Sequence, residues 1–181
     1  MEESGSMDAQ DLSPLARRSQ GVTDPVELQR FLDTFLYRED AVLLDEITAI
    51  DEAARRIDAR LDAKRPLPLA DAQRVSRLHP AHVSGAEFVM VTGALGCLHA
   101  WLFHGCRWDE GWAGFGNRIH RADFKRLARR DAPVELSSTA TRERVGASRV
   151  VIRFAFDFRQ AGEVVYVGDQ SAMFVKGKPL A

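Results

Sequence analysis

One long apolar segment limits the folds open to this chain. The run FVMVTGALGCLHAWLF, residues 88–103, is apolar on almost every side rather than along one stripe. A helix with that pattern has to be buried all round. The run is only about as long as the shortest helices that cross a membrane, and it contains His99 and two glycines. We therefore predict a buried core helix and no association with a membrane.

The residues after this segment read almost entirely as β-structure. Strand-like segments lie near residues 115–124, 134–144, 149–159 and 163–175. In the third segment every second residue is a large apolar one: Val150, Ile152, Phe154, Phe156 and Phe158. This alternation is typical of an antiparallel sheet with one covered face.

A short helix and two strands are predicted before the apolar segment. Thr23-Asp24-Pro25 supplies a cap and a first-turn proline, which open a helix over about 25–36. Ala41 to Ile50 and Arg55 to Leu61 are rich in branched or alternating apolar residues, so they predict two paired strands.

The remaining stretches predict a tail and a loop. Residues 1–22 show no periodicity, so we predict a flexible tail there and one folded domain over 23–181. Prolines at 66, 68 and 80 rule out one regular element between the second strand and the apolar helix. One helix among so many strands is best buried by a sheet that curls around it, which makes the fold class α+β.

Composition excludes several kinds of partner. The 25 Lys and Arg nearly balance the 26 Asp and Glu, so no overall field favours nucleic acid. The two cysteines, Cys97 and Cys106, match no zinc or redox motif, and we expect no metal. The N-terminus lacks the basic and apolar regions of an export signal. We therefore expect a cytoplasmic protein.

Two segments and the order of the elements resemble the hotdog superfamily. Leu28 to Ile50 resembles the opening helix and first strand of the 3-hydroxyacyl-ACP dehydratases, and Asn117 to Leu127 resembles the strand after their central helix. The resemblance covers roughly residues 25–176. It implies a single hotdog domain, a curved antiparallel sheet wrapped around a central apolar helix. It further implies a homodimer without a cofactor that acts on acyl thioesters of CoA or acyl-carrier protein.

The start of the apolar helix resembles a second hotdog family, the FcoT-like fatty acyl-CoA thioesterases. His82, then Glu87 five residues later, then an apolar helix follow the order of that family. Ser84 stands where the family has Asn, and Gly93 replaces a second Asn. The resemblance implies His82 and Glu87 as the catalytic residues. Ser84 to Glu87 is also an S-x-x-E capping box, so a purely structural role for Glu87 stays open.

Four further residues are candidates for substrate binding beside Ser84. The backbone amides of Gly85 and Ala86 could polarise a thioester carbonyl at the N-terminal end of the helix. His79 lies in the same loop as His82, and Thr92 could face a pocket from the helix. A basic stretch could meet CoA phosphates or an acidic carrier protein: Lys125, Arg126, Arg129 and Arg130.

Three functions follow from these residues. We expect a thioesterase, with the Gly85 and Ala86 amides holding the carbonyl and His82 or Glu87 activating water. A dehydratase or hydratase is the first alternative, although the position of its helix acid, five residues after Gly85, holds Met90, which cannot transfer a proton. A non-catalytic acyl-binding protein is the second alternative.

Overall fold

A computed structural model gives the structure of the chain and describes residues 12–177. These residues form four α-helices, six strands and two short 3-10 turns. The helices are α1 (Pro14–Arg18), α2 (Pro25–Thr34), α3 (Pro68–Asp71) and α4 (Gly85–His104). The strands are β1 (Glu46–Asp51), β2 (Arg56–Leu61), β3 (Trp112–Phe124), β4 (Val134–Gly146), β5 (Arg149–Gln160) and β6 (Glu163–Lys176). The 3-10 turns are Glu39–Ala41 and Trp108–Glu110.

All six strands form one antiparallel sheet that packs on α4. The strand order is β1-β2-β4-β5-β6-β3, so β3 is an edge strand paired only with β6. Two bulges interrupt β3, between Gly116 and Arg118 and between Ile119 and Arg121. Bulges increase the local twist and bend a strand. The sheet contacts α4 through β3, β4, β5 and β6, which confirms the prediction of one sheet around one central helix.

Clear signals in the sequence start and stop α4. Ser84 caps the first turn, and Gly105 adopts the left-handed conformation, with φ of 61°, just after the last turn. Glycine takes this conformation without the steric penalty of a Cβ atom. Leu95, Ala100 and Trp101 lie on different sides of the helix and are all fully buried. The helix is long and apolar enough to cross a membrane, but most of it is buried as a core helix.

The alternating pattern of β5 is confirmed. All five of its predicted inward residues, Val150, Ile152, Phe154, Phe156 and Phe158, are buried. Phe158 packs against Phe88 of α4 with ring centroids 5.6 Å apart. Close aromatic pairs of this kind add to the energy of burial. This face of β5 therefore carries much of the contact between sheet and helix.

The strand predicted over residues 41–50 begins only at Glu46. Val42, Leu43 and Leu44 are all buried, and Leu43 has a positive φ of 56°. A strand sends successive side chains to opposite faces of the sheet, so three consecutive buried side chains do not fit a strand with one covered face. The apolar run instead follows a 3-10 turn and inserts into the core as a bend.

The predicted flexible tail needs correction for residues 12–22, while residues 1–11 lie outside the described residues. Leu12, Leu15 and Ala16 are buried, and α1 packs against α2 and β1. The Ser13 amide donates to Gln29 Oε1 at 2.7 Å, and the Ile47 amide donates to the Ser19 hydroxyl at 2.8 Å. Leu12, Leu15 and Ala16 have the helical spacing i, i+3, i+4, but the pattern covers only one turn. Only the neighbouring surface of α2 and β1 makes this segment ordered.

Candidate functional site

An open groove of about 420 Å³ lies between α4 and the β3 edge of the sheet. We call it the α4 groove. Side chains from α4, β3, β5, β6 and the segment after α2 line it, and most of them are apolar. The larger ones are Phe35, Leu36, Tyr37, Val89, Met90, Phe115, Phe154, Phe156 and Phe174. Its volume and its apolar walls are typical of small-molecule sites.

Glycines leave the space that forms the α4 groove. A Cβ atom added at Gly93 of α4 or at Gly116 of β3 would meet no atom within 4 Å. At Gly114, by contrast, a Cβ would lie 2.8 Å from the Phe174 ring, so this glycine allows the ring to pack against the strand. Glycine inside a helix costs about 1 kcal/mol relative to alanine. Gly93 therefore weakens α4 and keeps the groove open.

A hydrogen-bonded chain of three side chains adjoins the α4 groove. Thr92 and Gln170 line it, and the Thr92 hydroxyl lies 3.0 Å from Gln170 Oε1. Gln170 Nε2 donates to the Tyr166 hydroxyl at 3.0 Å. Burial raises the pKa of Tyr166, so its hydroxyl stays protonated. Thr92 was a predicted substrate-binding residue, and the structure places it in the wall of the groove.

Glu87 is fully buried and holds backbone amides. Its Oε1 accepts from the amides of Leu69 and Ala70 at 2.9 and 3.0 Å, and its Oε2 accepts from the Ser84 amide at 2.8 Å. The predicted capping box is therefore present. The same carboxylate also ties the α3 segment to α4. With three backbone donors and no exposed surface, Glu87 is placed for a structural role rather than for contact with substrate.

The other predicted residues at the start of α4 lie apart from the groove lining. The Ala86 amide donates to the Ser84 hydroxyl at 3.2 Å, so only the Gly85 amide stays without a partner among the described residues. Phe124 covers Gly85 so closely that an added Cβ would lie 2.8 Å from its ring. The predicted pair of free amides is thus reduced to one. Ser84, Gly85 and Ala86 do not line the α4 groove.

His82 and His79 lie together in the loop before α4. Their rings are 4.9 Å apart at centroid, His79 being exposed and His82 half-buried. His82 Nδ1 is 2.8 Å from the Pro80 carbonyl, which requires a proton on Nδ1 and leaves a lone pair on Nε2. That lone pair faces the Gln73 side-chain nitrogen at 3.5 Å. Neither histidine lines the α4 groove of its own chain.

Comparison with known proteins identifies the fold. No model of a protein family matches the sequence, and no curated protein matches it. The solved structure of thioesterase HI1161 from Haemophilus influenzae is 17% identical with a TM-score of 0.52, over 81% of this chain and 88% of that one. A mutant of thioesterase PA1618 from Pseudomonas aeruginosa is 14% identical with a TM-score of 0.51, over 75% and 84%.

A third similar structure is the dehydratase heterocomplex ApeI:P from Xenorhabdus doucetiae. It is 11% identical with a TM-score of 0.54, over 83% of this chain and 90% of that one. All three are hotdog proteins. This chain has the hotdog fold. At these identities the likeness concerns the fold, and the predicted resemblance to the superfamily is confirmed at that level.

The basic stretch of this hotdog domain is paired with acidic side chains. Lys125 contacts Asp123 at 3.0 Å, and Arg126 contacts Glu163 at 3.1 Å. Arg129 and Arg130 make ion pairs of 2.6 Å with Asp131 and Asp71. The predicted contact with phosphate would have to compete with these carboxylates.

Burial keeps two titratable groups of the hotdog core neutral, the His99 imidazole and the Cys97 thiol. Desolvation lowers the pKa of His99 to about 4, and its Nε2 lies 2.9 Å from the Ser138 hydroxyl. Desolvation likewise raises the pKa of the Cys97 thiol, which lines the groove, to about 12. Cys97 is therefore a poor nucleophile. Among residues 12–177, no three His, Cys, Asp or Glu side chains group closely enough to hold a metal ion.

Sequence reasoning did not identify Gln170 and Gly116 as groove residues. Gly116 had a signal, because glycine inside a strand often marks a close approach or an open site. Gln170 had none, since it is one polar residue in a strand whose pairing partner and facing helix are far away in the sequence. Only the fold brings it next to Thr92.

Proposed function

We propose that this hotdog protein hydrolyses acyl thioesters and holds the acyl group in the α4 groove. The observation that supports the proposal is the groove itself, an apolar space along the central helix that is open to solvent and large enough for a small-molecule group. Similar hotdog structures include two thioesterases, which is consistent with this reaction. The carrier of the acyl group would be CoA or an acyl-carrier protein.

The proposed active form is a homodimer in the cytoplasm. The edge strand β3 has one unpaired side, and beside it Phe115, Ile119 and Met90 are exposed by 54%, 51% and 42%. An open strand edge with apolar side chains is a surface that a second strand would cover. A second copy of the chain would close the α4 groove and bring further residues to it. The free thiols of Cys97 and Cys106 suit a reducing compartment.

We propose His82 as the base that activates water. The Pro80 carbonyl holds the proton on Nδ1, and the Nε2 lone pair has only a long contact of 3.5 Å with the Gln73 amide nitrogen, which water would replace. Since His82 does not line the groove of its own chain, it would act on substrate bound at the boundary between two copies. The proposal does not use Glu87 as a base, because its oxygens already accept three backbone hydrogen bonds.

The test is release of free thiol from acyl-CoA and acyl-carrier substrates of varied chain length. Wild type should release thiol, and His82→Ala should lose most of that activity while it remains folded. Leu78→Ala is the control, because Leu78 lies in the same loop, is 96% exposed and has no group that could activate water. A wild-type protein that releases no thiol from any of these substrates would refute hydrolysis.

A second candidate is an acyl-binding protein without turnover. It is favoured by one observation: among the described residues that line the α4 groove, none carries a carboxylate or an imidazole. This candidate predicts saturable binding of acyl-CoA with no thiol release. Dehydration of a 3-hydroxyacyl thioester would instead appear as a change in enoyl absorbance, and it would need an acid from a position other than Met90.

A further inference from the structure

We infer that Gln170 binds the substrate directly, with its side-chain amide donating a hydrogen bond to an oxygen atom of the acyl group. The inference rests on the proposed function, because it needs an acyl group in the α4 groove. It assigns the groove a preference for acyl chains that carry an oxygen near Gln170.

Two neighbours fix the position of the Gln170 amide. Its Oε1 lies 3.0 Å from the Thr92 hydroxyl of α4, and its Nε2 lies 3.0 Å from the Tyr166 hydroxyl of β6. Neither neighbour is free to move. The Thr92 hydroxyl donates its one hydrogen to the Val89 carbonyl at 2.7 Å, and Tyr166 is fully buried with its ring against Phe88.

One N–H of the amide has no partner among the described residues. A glutamine amide has two N–H groups, and Tyr166 accepts from only one of them. Because Val89 takes the Thr92 hydrogen, the amide bonds Thr92 only when its oxygen and nitrogen are exchanged, and the number of free N–H groups stays the same. Tyr166 would then donate to the oxygen, Thr92 would accept from the nitrogen, and again one N–H would remain.

Gln170, which carries the free N–H, lines a groove whose wall is otherwise mostly apolar. While the groove is open, water can solvate this donor. When an alkyl chain fills the groove, the water leaves and the donor loses its partner, which is unfavourable. An acyl oxygen at the same place would replace the water. The groove should therefore distinguish between chains of equal length by the presence of that oxygen, which is either the thioester carbonyl or a hydroxyl or oxo group farther along.

The experiment uses three ligands that cannot be hydrolysed. The first is the S-decyl thioether of CoA, which has no oxygen on its chain. The second carries an oxo group on the carbon next to the one bound to sulfur, and the third carries a hydroxyl group one carbon farther along. Their dissociation constants are measured by calorimetry for wild type and for Gln170→Leu, Thr92→Val and Thr141→Val.

Thr141→Val is the matched control for Thr92→Val. Thr141 is an exposed threonine of β4 that does not line the α4 groove. Its hydroxyl donates to the Arg153 carbonyl at 3.1 Å. Each variant is judged by the ratio of its own dissociation constants for plain and oxygenated ligand, so general damage to the fold cancels.

Wild type should bind one oxygenated ligand about three to ten times more tightly than the plain thioether, the usual effect of one neutral hydrogen bond. The ligand that shows this preference identifies which oxygen Gln170 meets. Gln170→Leu should reduce the ratio to about one, Thr92→Val should reduce it in part, and Thr141→Val should keep it. An unchanged ratio in Gln170→Leu, or no preference in wild type, overturns the inference alone. Wild type that binds none of the three ligands overturns the proposed function as well.

Discussion

Replacing Gly93 by alanine should stabilise this protein and narrow its groove at the same time. Gly93 lies inside α4, where glycine is about 1 kcal/mol less favourable than alanine. The new Cβ atom would meet nothing within 4 Å, so no clash opposes the gain. We expect the free energy of unfolding to rise by about 0.5–1 kcal/mol, and the melting temperature by a few degrees for a chain of this size.

Gly96→Ala is the matched control in the same helix. It offers the same gain in helix propensity, but its Cβ would lie 3.3 Å from the Phe154 ring, which would have to move. Urea unfolding of both variants at equal protein concentration measures the difference. The reasoning is refuted if Gly93→Ala is less stable than wild type, or if Gly96→Ala gains as much. Gly93→Leu should in addition weaken acyl-CoA binding, because its side chain would occupy the α4 groove.

Three further predictions concern the roles assigned to buried groups. Glu87→Gln should lower the free energy of unfolding by about 1–3 kcal/mol. The glutamine NH2 group that replaces Oε2 cannot accept a hydrogen bond from the backbone N–H of Ser84. A folded, equally stable Glu87→Gln protein without thiol release would instead assign Glu87 to catalysis. The pKa of His99 is about 4 in the folded chain against 6.5 in an unperturbed side chain, so the unfolded state binds the proton first. Stability should therefore be complete above about pH 6.5 and fall by roughly 3 kcal/mol as the pH drops to about 4. Unfolding curves of a folded His99→Leu variant should lack that part of the slope, and an equal slope in both proteins would contradict the assignment. Leu15→Ala should destabilise the domain by about 2–5 kcal/mol, measured in the same way, whereas no change would mean that α1 is not part of the core.

The fold was largely predictable because its main signals are local. The apolar pattern of α4, its serine cap and the alternation along β5 each depend on residues close together in the sequence. The two mistakes came from short segments. The run at 42–44 and the helix α1 are too short for periodicity to decide, and their structure depends on the core surface that they cover.

The functional site was less predictable. The sequence determined the α+β fold class, the start of the central helix and the capping box at Glu87, because helix caps and hydrophobic periodicity act over a few residues. The hotdog fold was implied by the resemblance to that superfamily. It also placed Thr92 correctly at a pocket. Only the tertiary structure placed Gln170 beside Thr92 and left open space at Gly93. Those features depend on how a strand near the end of the chain packs on a helix in its middle. A local sequence pattern contains no information about such a distant contact.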